Sequence, residues 1–131
     1  MFRYVLVACL SVVLPASAMA AADGGPIYLT RDDIAAVTAK AASAVQPGHG
    51  TSSRPLMALG DYSAKVEYHV GPNIANAHPG HAELFQAIEG SGTLVTGGKI
   101  LKTTTGAAIS GGQTRHVAAG DVFIVPEGMP H

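Results

Sequence analysis

An all-β fold, an antiparallel barrel or jelly roll carrying one short N-terminal helix, is what this sequence predicts, and three observations predict it. Apolar and polar residues alternate with period two through Tyr62-Ser-Ala-Lys-Val-Glu-Tyr-His-Val70. Short apolar runs then recur at even spacing as far as Val125, and 16 glycines and 8 prolines punctuate the chain with turns. Only one stretch has helical spacing, and 131 residues leave room for one core.

The helix opens at Thr30-Arg-Asp-Asp33. Thr30 suits an N-cap, with Asp33 near N3 and two acids in the positive first turn. Ile34, Val37, Ala41 and Ala44/Val45 form its apolar face, and it ends before Gln46-Pro-Gly-His-Gly50. Residues Gly50 to Pro55 read as a loop. In the alternating strand, Tyr62, Ala64, Val66, Tyr68 and Val70 share the face expected to be buried. Ser63, Lys65, Glu67 and His69 share the face expected to meet water. Leu84–Ile88 is a short strand ending at Glu89-Gly-Ser-Gly92. Thr93–Thr96, Gly97-Gly98 and Lys99–Lys102 read as a hairpin, because paired glycines suit a two-residue primed turn. Thr103 to Gln113 reads as loop or weak edge strand, Arg115–Val117 as a strand, Ala118–Asp121 as a turn and Val122–Val125 as an apolar strand.

Residues 1–20, MFRYVLVACLSVVLPASAMA, have the layout of a secretory signal peptide: a basic Arg3, an apolar core from Val5 to Leu14, then Ala18-Met19-Ala20 as the cleavage site. The core is about half the ~20 residues a spanning helix needs, so an exported protein without a stable membrane anchor is expected, periplasmic or extracellular. Cleavage removes Arg3 and the only cysteine, Cys9, leaving seven basic residues against nine acidic ones. No Lys/Arg cluster remains, which argues against nucleic acid as a partner, and no thiol remains for disulfides or catalysis. The expected organisation is a signal peptide over 1–20, a segment with helix and loop over 21–55, and a β domain over 56–131.

Two stretches concentrate donor atoms: Asn76-Ala-His-Pro-Gly-His-Ala-Glu83 and the terminal His131. His78 ends one strand, Pro79-Gly80 turns the chain and Glu83 begins the return. Neighbouring strands lie about 4.8 Å apart, so side chains facing the same way across that turn can converge on one ion. Imidazole with carboxylate suits a divalent transition metal: iron, manganese, zinc, nickel or copper. His78, Glu83 and His131 make a two-histidine, one-carboxylate set with positions left for water or a small-molecule ligand.

These two stretches resemble the two motifs of the cupin superfamily. Gly71…His78…Glu83-Leu-Phe-Gln-Ala-Ile-Glu-Gly90 follows most of the first, G(X)5HXH(X)3,4E(X)6G. Gly120-Asp-Val-Phe-Ile-Val-Pro126-Glu-Gly128-Met-Pro-His131 meets every fixed position of the second, G(X)5PXG(X)2H. The resemblance covers roughly Ala58 to the end. It implies a jelly-roll β-barrel with a metal at its mouth, held by three histidines and one glutamate. Two departures stand out. Asn76 occupies the first histidine position, and His81, which the motif does not require, either supplies the third imidazole or faces solvent. In cupins a further strand follows the last motif histidine. This chain stops at His131, so the barrel is expected to be incomplete at the C-terminus, with a fraying end and an open sheet edge that invites a homodimer.

The expected function is therefore an exported cupin with a divalent metal at the barrel mouth that binds or transforms a small oxygen-rich molecule. The alternative is a non-catalytic module with a degenerate metal site that holds a carbohydrate or carboxylate. His49, His69 and His116 are expected at the surface, Glu127 in water, and Tyr62, Tyr68 and Phe85 in the core.

Overall fold

The computed structural model describes the backbone of residues 4–7 and 11–12 and all of residues 27–131. The elements, in order, are β1 (Tyr4–Val7), β2 (Ser11–Val12), α1 (Arg31–Ser43), β3 (Thr51–Leu59), β4 (Tyr62–His69), β5 (Glu83–Thr96), β6 (Lys99–Thr103), β7 (Gly106–Ser110), β8 (Gln113–Ala118) and β9 (Val122–Val125). One sheet has the order β2-β4-β1-β5-β8, with β3 added on β4 and β9 on β5; β6 and β7 form a separate pair. Every pairing is antiparallel. The β-rich architecture with one helix is as the sequence predicts. Among the described residues, however, no pairing joins the two ends of the sheet, so it is not closed into a barrel.

The helix starts where local chemistry dictates. The Asp33 N–H donates to Thr30 Oγ1 at 3.1 Å and the Thr30 N–H donates to Asp33 Oδ2 at 2.8 Å, a complete capping box. Its apolar side, with Ala41 fully buried and Val37, Ala42 and Val45 partly so, packs on Val66 and Tyr68 of β4. The Ser52 hydroxyl donates to the Ala41 carbonyl and ties the helix to β3. α1 is thus the cover of the apolar side of β4.

Several expectations are corrected. Residues 51–55, read as loop, belong to β3; Pro55 is tolerated because β3 pairs only with β4 and the register shifts between Pro55 and Met57. The two strands expected on either side of Glu89-Gly-Ser-Gly92 are one strand, β5, in which Gly90 takes φ 75°. Its first half pairs with β9 and β1 and its second half with β8, so one strand joins two parts of the molecule. The hairpin across Gly97-Gly98 does not form. The chain does turn there, with φ 76° and 71°, but β6 pairs with β7, whose segment was read as loop or weak edge. Next to that pairing, the Gly98 backbone lies so close to the Ser110 carbonyl and the Gly112 nitrogen that a Cβ there would collide.

Tyr62 is 56% exposed and Val70 is also exposed, so the buried side of β4 is narrower than its alternation suggests. The larger correction concerns the other side. Lys65, Glu67 and His69 line an open cavity of about 800 Å³, with the Lys65 side chain still 40% exposed. α1 covers Val66 and Tyr68 on the other side of β4.

Candidate metal centre

The donor residues are brought together by two turns that clasp each other. The Gly128 N–H, at the Pro-Glu-Gly turn, donates to the His78 carbonyl at 2.9 Å. In return the Gly80 N–H donates to Glu127 Oε1 at 2.9 Å, so Glu127, exposed as expected, also holds the Pro79-Gly80 turn. Gly80 and Gly128 both have positive φ, 90° and 69°, which a glycine accommodates without strain.

His131 is tied to the chain by backbone hydrogen bonds. Its N–H donates to the Asn76 carbonyl and its carbonyl accepts from the Asn76 N–H, each at 2.9 Å, and the preceding Pro130 carbonyl accepts from the Gly97 N–H at 2.8 Å. Asn76 is therefore the backbone partner of His131. Its side-chain oxygen accepts from the Ala77 N–H at 2.8 Å.

Glu83 opens β5 with its side toward the cavity, 4% exposed. His131 Nε2 lies 3.0 Å from its Oε2, and His78 Nε2 lies 3.7 Å from its Oε1. The His78 ring stacks on that of His81 with centroids 5.1 Å apart, and its centroid is 5.4 Å from that of His131. The turn thus stacks His81 on His78, while His131 reaches Glu83 from the other end of the sequence. Donor atoms of His78, His81 and Glu83 lie within 4.8 Å of one another, a group that can hold a metal ion. Phe85 forms the apolar floor, its ring stacked on Phe123 at 5.0 Å and meeting His131 edge-on at 6.1 Å.

The hydrogen bonds of His131 test the fit. Its Nδ1 lies 3.0 Å from the Met129 carbonyl, which can only accept, so Nδ1 carries a proton. Its Nε2 then faces a second acceptor, the Glu83 carboxylate. A neutral imidazole cannot donate from both nitrogens, so the arrangement calls for positive charge between Nε2 and Glu83, either a second proton or a metal ion. A ligating histidine commonly fixes its far nitrogen on a backbone carbonyl in this way, as Met129 does here. The donor set therefore fits a divalent transition metal.

The sequence reading missed the part of the cavity lining that β4 supplies. Lys65 Nζ lies 2.6 Å from Glu67 Oε1, and His69 Nε2 lies 3.3 Å from Glu67 Oε2. Burial would push the Glu67 carboxyl up, but the His69 imidazole and the Lys65 ammonium beside it more than offset this and hold it at about 2. Alternation alone could not show it, because the polar face of an antiparallel strand commonly meets water. His49 and His116 are exposed, as expected. No protein-family model, no curated protein and no solved structure matches this chain.

Proposed function

We propose that this chain is an exported, cupin-like protein whose jelly-roll-like β domain carries a divalent transition metal at the mouth of its cavity, where it binds or transforms a small oxygen-rich molecule. The observation that carries this reading is the meeting of the 4%-exposed Glu83 carboxylate with Nε2 of His131 at 3.0 Å, while the other nitrogen of that ring is committed to a backbone carbonyl. His78, His81, Glu83 and His131 would hold the ion. Once bound, it would supply Lewis-acid polarisation of a ligand oxygen or a site for dioxygen. The chain's own contributions are separable from that chemistry: Glu83 supplies negative charge, Met129 and Asn76 orient His131, and Phe85 with Phe123 keeps one side of the site apolar.

Elemental analysis of the purified chain tests this. Near-stoichiometric transition metal, lost in His78→Ala with the fold retained by circular dichroism, is the expected result. Absence of metal under every loading condition would end the metal reading. It would favour the second one, a non-catalytic binding module, which rests on Asn76: the residue at the first motif position has its amide oxygen on the Ala77 N–H.

A further inference from the structure

The cavity has a second polar station that the metal reading does not use. Lys65, Glu67 and His69 line the same cavity as His78, Glu83 and His131, from a different strand. Between the two stations the walls are largely apolar, with Phe85, Val117 and Phe123 among them. Lys65 is the only lysine or arginine on the cavity wall among the described residues.

The register fixes the separation. β4 and β5 are both antiparallel to β1, and Val7 is level with Val66 on one side and Gln86 on the other. While residues 4–7 remain in the sheet, Lys65 is level with Phe85, two residues along and two strands across from Glu83, which places the two backbones roughly 12 Å apart.

The station is charged and held in place. The Glu67 carboxylate aligns Lys65 on one side and meets His69 on the other. The Thr51 hydroxyl donates to Asn73 Oδ1 at 3.0 Å, so at 3.2 Å it can only accept from His69 Nδ1, and the ring is fixed with that proton on Nδ1. An ion pair on a cavity wall is a weak source of stability, since apolar residues of similar volume often do as well. A lysine aimed into a cavity whose other walls are mainly apolar is what a ligand's carboxylate requires.

We infer that the cavity takes a small organic acid with an apolar body, its carboxylate bound at Lys65 and a second oxygen function directed to the His78–Glu83–His131 station. This rests on the metal reading only for the second end. The Glu67 carboxylate, 2.6 Å from Lys65 Nζ, competes with the ligand's carboxylate for the ammonium.

The test loads the chain with cobalt(II) and titrates it with 4-hydroxyphenylacetate and with 4-ethylphenol, which shares the phenol and ring but lacks the carboxylate. The acid is expected to bind at least about tenfold more tightly than the phenol. Lys65→Met should abolish that preference with cobalt content unchanged, and Glu67→Gln should increase it by removing a competing negative charge. A merely structural ion pair would give no such increase. Absence of acid preference in the unmodified chain, or a preference that survives Lys65→Met, overturns the inference. If Lys65→Met does not fold, Glu67→Gln decides: an unchanged or weakened preference overturns it. If the chain takes up no cobalt, the metal reading fails separately, and calorimetry of the same two probes on the unloaded chain judges Lys65 by the same criteria.

Discussion

Two glutamates on one cavity wall have different companions. Glu67 lies beside an ammonium, Lys65 Nζ at 2.6 Å, whereas Glu83 is ringed by the imidazoles of His131 and His78. A lysine carries its charge at all ordinary pH, so Glu67 is compensated by a fixed partner. An imidazole compensates a carboxylate only when it is protonated or when the two share a cation. The difference separates a permanent charge pair from a station suited to an exchangeable ion.

The sharpest way to break this comparison is to remove each carboxylate in turn. Glu83→Ala is expected to weaken metal binding by more than about a hundredfold, since even groups one step behind the ligands are commonly worth 10- to 100-fold. Glu67→Gln should change it by no more than about twofold, because that carboxylate is satisfied by Lys65 and His69. Competition with a chromogenic chelator measures both, and equal losses would erase the distinction.

Acid sharpens it further. The Glu67 carboxyl is held at about 2 in the folded chain, below its ordinary value of 4.5. A depressed carboxyl stabilises the fold fully above the unfolded value and loses that contribution as pH falls toward the folded one. Glu67→Gln should therefore reduce stability at pH 6 to 7, and the deficit should shrink between about pH 4.5 and 2. Denaturant midpoints across that range give the measurement; a deficit constant with pH would remove the ion pair as its source. The smallest effect is expected furthest from the cavity: Thr30→Ala, which deletes half of the capping box, should cost about 1 kcal/mol of stability and leave metal content unchanged.

How much of this was legible in the sequence depended on whether its cause was local. The capping box at Thr30 and Asp33 involves residues three apart, and the helix begins there as read. The strand Tyr62–His69 was legible from its alternation, but the direction of its two sides was not. Alternation shows that the sides differ, and only packing decides that α1 covers Val66 and Tyr68 while the polar side lines a cavity. The Gly97-Gly98 turn was legible as a turn, but the pairing of β6 with β7 and the approach of Ser110 and Gly112 to Gly98 were not. His78, His81, Glu83 and His131 were all singled out from spacing. Their placement depends on contacts no spacing displays: Gly128 on the His78 carbonyl, Glu127 on Gly80, and the reciprocal backbone pair of Asn76 with His131.

The placement of β1 has one more consequence. Tyr4–Val7 lies between β4 and β5, which among the described residues do not pair with each other directly, and the same four residues fall within the segment read as an export leader. A leader that also serves as a lattice strand would couple maturation to assembly. Its excision would leave a slot one strand wide, with donors and acceptors bare along both flanks, until some extended chain zipped into the gap.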